Sequence, residues 1–239
     1  MLAAGYATRL YPLTLDRPKP LLEVGGRPIL EHLLDQLPLS EISTVYIVTN
    51  AKFASHFRAW AETQTAPIEV VDDGTTSDDD RLGAIGDLDL VIRTQGIDDD
   101  LLVAAGDNLF TEPLGDFVRF AREHDAAATA VYDTGDLEAM KRYSSIGVDA
   151  DGRVTSFEEK PEQPTSTLAG IALYFYPRAV LPLVAEYLAE GNNSDQPGRL
   201  VQWLYRRVPV YAWHLPGSWI DIGTPESLAE ADRAFNGSG

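Results

Sequence analysis

Short β-rich apolar runs alternate along this chain with segments whose apolar residues recur at helical spacing, and this alternation most narrows the folds open to it. Residues 44–49 and 68–71 read as strands. Residues 101–105, Leu-Leu-Val-Ala-Ala, are a continuous apolar run of the kind found in a central parallel strand. Ile29, Leu33, Leu34 and Leu37 follow a helical stripe entered at Pro28, and Phe53, Phe57 and Trp60 fit the face of a second helix. Strand, helix and strand in this order imply right-handed β-α-β units and a parallel sheet, the α/β class. Beyond residue 110 the pattern predicts a helix at 114–123, a strand at 127–132 and a β-hairpin from 146–148 and 154–157 turning at Asp151-Gly152. A strand at 169–176, helices at 179–188 and 198–206, and a strand at 208–213 follow. With 239 residues, 44% of them hydrophobic, there is enough for one core and a small lobe.

Only residues 1–4 precede the first loop, whereas a buried strand usually has about five or six residues. The short strand reads as a start at an internal Met or as a trimmed chain. Leu2-Ala3-Ala4 breaks at Gly5 into Tyr6-Ala7-Thr8-Arg9, a loop of small residues and one guanidinium. Glycine and small neighbours let the main chain approach a ligand, and successive N–H groups of such a turn can cradle phosphate oxygens. Arg9 can grip a phosphate through two parallel hydrogen bonds, and Lys19 offers a point charge. Pro12, Pro18 and Pro20 forbid a regular helix and hold Lys19 on a stiff arm able to fold back toward Gly5. Neither a Walker loop nor the dinucleotide fingerprint is present in this stretch.

The formal net charge of -18 repels nucleic acid and anionic membranes. It also repels nucleotides, so a nucleotide site needs its own local cations. Lys is scarce, at positions 19, 52, 141 and 160 only, and Lys19 and Lys160 each precede a proline. Acidic runs recur at residues 78–80 and 98–100, which suits a protein adapted to high salt or simply an acidic one. There is no cysteine, which excludes disulfides and thiolate metal sites. No apolar run approaches the roughly 20 residues that span a bilayer, and no signal peptide precedes Gly5; the expected location is the cytoplasm.

Four further stretches carry chemistry. Leu82-Gly83-Ala84-Ile85-Gly86-Asp87 opens a helix with a small residue at its start. Asp107, in Gly106-Asp107-Asn108, stands just past a predicted strand, where open α/β sheets bind ligands; an Asx turn or helix cap is the plainer reading. Glu158-Glu159-Lys160-Pro161 ends the predicted hairpin, with Glu158 and Lys160 on one face and Glu159 on the other, or else is a charged edge strand. Trp219-Ile220-Asp221 puts Trp219 and Asp221 on one face, and Thr224 can cap a helix starting at Pro225.

Taken together these stretches resemble the sugar-1-phosphate nucleotidyltransferases, or nucleotide-sugar pyrophosphorylases. That family's signature is Leu-Ala-Ala-Gly-x-Gly-Thr-Arg-Leu, then Pro-Leu-Thr, then Pro-Lys-Pro, and this chain departs from it at Ala7, a change expected to cost little. The resemblance runs from Leu2 to about Ala231. It implies a Rossmann-like nucleotidyltransferase fold: a mixed, mostly parallel sheet with helices on both faces and a small β-rich sugar-binding lobe. Residues 1–239 then form a single domain, with a nucleotide-binding half over about 1–132 and a sugar-phosphate half over about 133–239. By resemblance, Leu2, Ala4, Gly5, Tyr6, Ala7, Thr8, Gly83 and Asp107 contact the nucleotide, and Arg9, Lys19 and Lys160 are catalytic. Gly147, Glu159 and Lys160 hold the sugar phosphate, and Asp107 and Asp221 bind Mg²⁺. Asp78 stands where the thymidylyl branch often has Gln, so the base is left open, as is the sugar.

The implied reaction joins a nucleoside triphosphate to a sugar 1-phosphate by in-line attack on the α-phosphorus, releasing pyrophosphate. Two other readings stand beside it. A cytidylyltransferase for an alcohol phosphate such as phosphocholine would share the loop and the carboxylates. A catalytically silent nucleotide-sugar sensor would keep the binding surface alone. The sequence leaves a homo-oligomer open.

Overall fold

A computed structural model describes residues 1–236. In chain order the elements are β1 (Glu23–Val24), β2 (Arg27–Pro28), α1 (Ile29–Gln36), β3 (Val45–Thr49), α2 (Ala54–Ala61) and β4 (Ile68–Asp72). Then come α3 (Ala84–Thr94), β5 (Leu101–Ala104), β6 (Asn108–Phe110), α4 (Gly115–His124), β7 (Ala127–Asp133), β8 (Ser144–Val148) and β9 (Val154–Glu159). The rest are β10 (Leu168–Tyr176), α5 (Pro182–Ala189), α6 (Gly198–Leu204), β11 (Val210–His214), β12 (Trp219–Asp221) and α7 (Pro225–Asn236). The chain is of the α/β class with mixed sheet pairing. It divides into two compact units, one from Met1–Leu82, Ala105–Gly115 and the chain from Gly217 onward, the other from Gly83–Ala104 and Asp116–Pro216.

In the first unit β3 and β4 pair in parallel, and Leu2 bridges in parallel to both Val48 and Ala105. The apolar start of the chain is thus pinned between two strand runs, with Ala3 N–H on the Val48 carbonyl and Gly106 N–H on the Leu2 carbonyl, both at 2.9 Å. β6 and β12 form a separate antiparallel pair, with Asp221 opposite Asn108. Beneath these lies a core of Leu10, Leu22, Val24, Ile29, Leu109, Ile222 and Ala231, all buried. Burying a side chain of the Leu or Ile size contributes about 1.5–3 kcal/mol. Leu10, Leu109 and Ile222 each sit beside a polar residue of interest, Arg9, Asn108 and Asp221 respectively. One apolar cluster therefore anchors three stretches that are far apart in sequence. Thr224 Oγ1 accepts the Ser227 N–H at 3.2 Å and caps α7 at Pro225, as its sequence predicts.

The second unit is built on a sheet ordered β11-β7-β10-β8-β9, with β5 also on β10. Only β7 and β11 pair in parallel there; the other pairs are antiparallel. The run 101–105 was expected to be a central parallel strand; β5 pairs antiparallel with β10, while Ala105 directly after it bridges in parallel to Leu2. Nine-residue β10 is long enough for its first half to pair with β8 and its second half with β5, while β7 runs along its other edge. Among the described residues no helix is long and apolar enough to cross a membrane.

Candidate active site

The loop after Leu2 is closed on itself by buried Thr14, whose hydroxyl donates to the Ala7 carbonyl at 2.8 Å. A single 3-10 turn, Thr8–Leu10, puts Leu10 in the core and leaves Arg9 exposed. Among the described residues the N–H groups of Gly5, Tyr6, Ala7 and Thr8 make no hydrogen bond, and neither does the Arg9 guanidinium. Such a row of unused donors is what an anion requires. A Cβ built on Gly5 meets nothing within 4 Å, so packing inside the protein does not demand glycine there. The left-handed residue of the loop is instead Ala7, at φ 49° and ψ 43°. An L-residue in that region costs about 1–2 kcal/mol, so the departure from glycine at Ala7 carries a strain that its small volume does not remove.

Tyr6 points inward to Thr75, with 3.4 Å between the hydroxyls, and burial pushes its phenol up from the ordinary value. Buried Asn50 donates to the Ala4 carbonyl at 2.8 Å and accepts the Phe53 N–H, fixing where the strand ends and the loop begins.

Lys19 has a definite partner at the end of its arm. Its ammonium donates to Asp107 Oδ2 at 2.6 Å, and the two side chains are 12% and 31% exposed. The proline arm reaches this far because Pro20 lies against Gly106, where a Cβ would be 3.2 Å from the proline ring. Asp221 is brought beside Asp107 by the β6–β12 pairing and by the Ile222 N–H, which donates to the Asp107 carbonyl at 3.1 Å. Leu2, Ala4, Gly5, Tyr6, Ala7, Thr8, Arg9, Lys19, Asp107 and Asp221 all belong to the first unit.

Among the described residues no three His, Cys, Asp or Glu side chains cluster as an all-protein metal cage. Asp107 and Asp221, on neighbouring backbone, offer a different donor set. They suit a hard divalent cation that takes one or two carboxylates and completes its shell with substrate phosphates and water.

Gly83, Gly147, Glu159 and Lys160 belong to the second unit. Glu159 faces Ser144 across the β8–β9 ladder and accepts a short hydrogen bond from its hydroxyl. The Glu159 N–H donates to Gln202 Oε1 on α6 at 3.3 Å. A Cβ on Gly198, at the start of α6, would collide with the Glu159 carboxylate. Tyr174 lies near this carboxylate; burial raises its phenol well above the ordinary range, with Tyr176 and Glu159 adding to the effect. Lys160 is exposed and sits at φ 50°, past the end of β9. Strict strand alternation therefore stops at Glu159, and Lys160 does not share a face with Glu158 by the pleat. The Lys160 N–H still donates to the Tyr143 carbonyl, which holds the turned backbone. A lysine in the left-handed region is uncommon, and such residues concentrate at ligand sites.

Gly147 has its glycine need met locally, since the Ser156 hydroxyl fills the space of a Cβ. Gly83 is likewise held by protein: a Cβ there would be 2.6 Å from the Ser194 carbonyl oxygen.

Asn50, Asn108, Ser144, Gly198 and Gln202 were not singled out by sequence reasoning. Asn108 had a signal in its place directly after Asp107; the others are recognisable only from their partners in space.

The sequence matches the nucleotidyl transferase family over residues 1–237. It is 30% identical over 237 residues to UTP–glucose-1-phosphate uridylyltransferase AglF of Haloferax volcanii, covering 98% of this chain and 94% of that protein. A UTP–glucose-1-phosphate uridylyltransferase of Synechocystis sp. is 29% identical over 246 residues; 98% of this chain but only 62% of that relative is covered. Among solved structures, a UDP-glucose pyrophosphorylase complexed with UDP-glucose has a TM-score of 0.83 at 20% identity, covering 100% of this chain and 97% of that one. At that identity the likeness is one of fold, and the fold is the Rossmann-like one expected. Since every described residue lies inside the 1–237 match, this chain belongs to the nucleotidyl transferase family.

Proposed function

We propose that this protein is a sugar-1-phosphate nucleotidyltransferase, which joins a nucleoside triphosphate to a sugar 1-phosphate to give an NDP-sugar and pyrophosphate. One observation carries the reading furthest. Lys19 and Asp107, far apart in sequence, are ion-paired, and Asp221 is held one strand away by Ile222. The names of the relatives favour this reading over a phosphocholine-type cytidylyltransferase or a silent sensor.

In this reading Arg9 and the N–H groups of Gly5 to Thr8 take the β- and γ-phosphates, and Lys19 adds a point charge. Leu2 and Ala4 set the position of that loop, and Gly83 takes the base side. Asp107 and Asp221 would hold a divalent cation, Mg²⁺ here, which when bound supplies neutralisation of phosphate charge. Lys160 binds the phosphate of the sugar 1-phosphate; Glu159 accepts hydrogen bonds from the sugar hydroxyls, and the Gly147 backbone adds a contact. The attacking phosphate oxygen is already ionised near neutral pH, so no general base is required. Its new bond to the α-phosphorus forms as the bond to the β-phosphate oxygen breaks, and pyrophosphate leaves with the pair of electrons. Charge stabilisation by Arg9, Lys19 and Lys160, with positioning, accounts for the catalysis. Residues 1–239 act as one nucleotidyltransferase domain, and the substrates imply a cytoplasmic location.

We take UTP and glucose 1-phosphate as the first pair to test, because the Haloferax volcanii relative carries both in its name. The experiment is Mg²⁺-dependent pyrophosphate release across five nucleoside triphosphates crossed with several sugar 1-phosphates and phosphocholine. It is run at low and at molar salt, because a net charge of -18 is self-repelling until screened. Turnover with one sugar 1-phosphate, higher at molar salt, is expected. Turnover with phosphocholine alone, or none from folded protein at either salt, would overturn the reading.

A second expectation concerns Gly198, whose Cβ space is filled by the Glu159 carboxylate. Gly198→Ala meets side chains and not backbone, the Glu159 carboxylate, the Ser144 hydroxyl and, at 3.2 Å, the Phe157 ring, so the carboxylate gives way first and the melting temperature falls by less than the sugar-phosphate KM rises. Loss of a charged hydrogen bond, worth about 1.5–3 kcal/mol, would raise KM for the sugar phosphate about 10- to 100-fold. KM for the nucleotide should stay constant, and steady-state kinetics with each substrate varied in turn checks this.

A further inference from the structure

Asp107 is held from both sides. Lys19 takes Oδ2 at 2.6 Å, and the Asn108 amide donates to Oδ1 at 2.8 Å. Asn108 is 3% exposed, so its amide cannot turn to water for partners. Its own oxygen accepts the indole N–H of Trp219, at 2.5 Å, across the β6–β12 pair. The two ends of this amide are not interchangeable. Indole nitrogen only donates and an ionised carboxylate only accepts, so the amide oxygen must face Trp219 and the amide nitrogen must face Asp107. A flipped amide would set oxygen against the carboxylate and N–H against N–H.

Resting on the function proposed above, we infer that Trp219 is a positioning residue for the cation site, acting through Asn108 on the Asp107 carboxylate. The indole N–H fixes the amide, the amide fixes the plane of the carboxylate, and that plane decides which lone pairs Asp107 offers to a divalent cation. The arrangement also explains why Trp219 and Asp221 lie two residues apart on one strand face. Asp221 supplies its own carboxylate, and Trp219 orients the other one from the same strand. Outer partners of this kind commonly change metal affinity about 10- to 100-fold when removed.

The test is Mn²⁺ binding to the protein without substrates, followed by water-proton relaxation, in wild type, Trp219→Phe and Asn108→Ala. Trp219→Phe keeps an aromatic ring at the position and removes the relayed N–H. The expected result is at least about tenfold weaker Mn²⁺ binding in Trp219→Phe, with a melting temperature close to wild type. Turnover should then show a raised requirement for metal, with part of the lost rate recovered at high Mn²⁺. Asn108→Ala should weaken Mn²⁺ binding at least as much. Mn²⁺ affinity equal to wild type in Trp219→Phe would overturn the inference. Failure of the function reading is separately visible, as absence of turnover in a wild-type protein that still binds Mn²⁺.

Discussion

Arg9→Ala is expected to lower kcat by about 10²- to 10³-fold, the usual effect of removing one preorganised donor from a site of developing charge. The physical case is that Arg9 has nothing else to do. Its guanidinium is exposed and hydrogen-bonds to no described residue, while its neighbour Leu10 is buried and holds the turn in place. Surface substitutions away from special features stay within about 0.5 kcal/mol, so the melting temperature should not move. Arg9→Lys restores the charge but not the planar fork, and should recover only part of the rate. Pyrophosphate release at saturating substrates, alongside thermal melts, separates the two effects. A rate within threefold of wild type in Arg9→Ala would remove Arg9 from the catalytic group.

Gly83→Ala should act on stability more than on chemistry. Gly83 has φ 80° and ψ 160°, a region essentially confined to glycine, where another residue costs about 1–3 kcal/mol. A methyl group would also sit 2.6 Å from the Ser194 carbonyl oxygen, which already accepts the Ile85 N–H at 2.9 Å in the first turn of α3. The clash is with backbone, so the loop at Ser194 or the start of α3 must shift, and that hydrogen bond is strained or lost. Together these come to about 3–5 kcal/mol, a fall in melting temperature of about 6–20 °C for a chain of this size. Urea and thermal unfolding test it directly. An unchanged melting temperature with a raised KM for the nucleotide would put the need for glycine at the ligand.

Residue types and order carried the class of the protein. The alternation of β-rich and helical segments pointed to an α/β fold. The stretch from Leu2 through Lys19-Pro20, Gly106-Asp107, Glu159-Lys160 and Trp219 through Pro225 pointed to a nucleotidyltransferase by its resemblance to that family's motifs, and phosphate chemistry has a use for the cations and carboxylates they carry. These are properties of local sequence: a glycine that breaks a strand, a proline that stiffens an arm, an aspartate after an apolar run. What the tertiary structure decided are relations between distant residues. The sequence suggested that Lys19 sits on an arm able to turn back toward Gly5, and the structure gives that arm its partner: the ammonium lies on Asp107, with Pro20 nested against Gly106. That β5 and β8 share one edge of β10 is a relation between strands distant in sequence, possible because β10 is nine residues long. The left-handed backbone at Ala7 and Lys160 comes from Thr14 and Tyr143 fixing the chain on either side, which no local propensity contains. The orientation of the Asn108 amide follows from a donor, Trp219, 111 residues away, and only folding brings that donor and the Asp107 carboxylate to the two ends of one side chain.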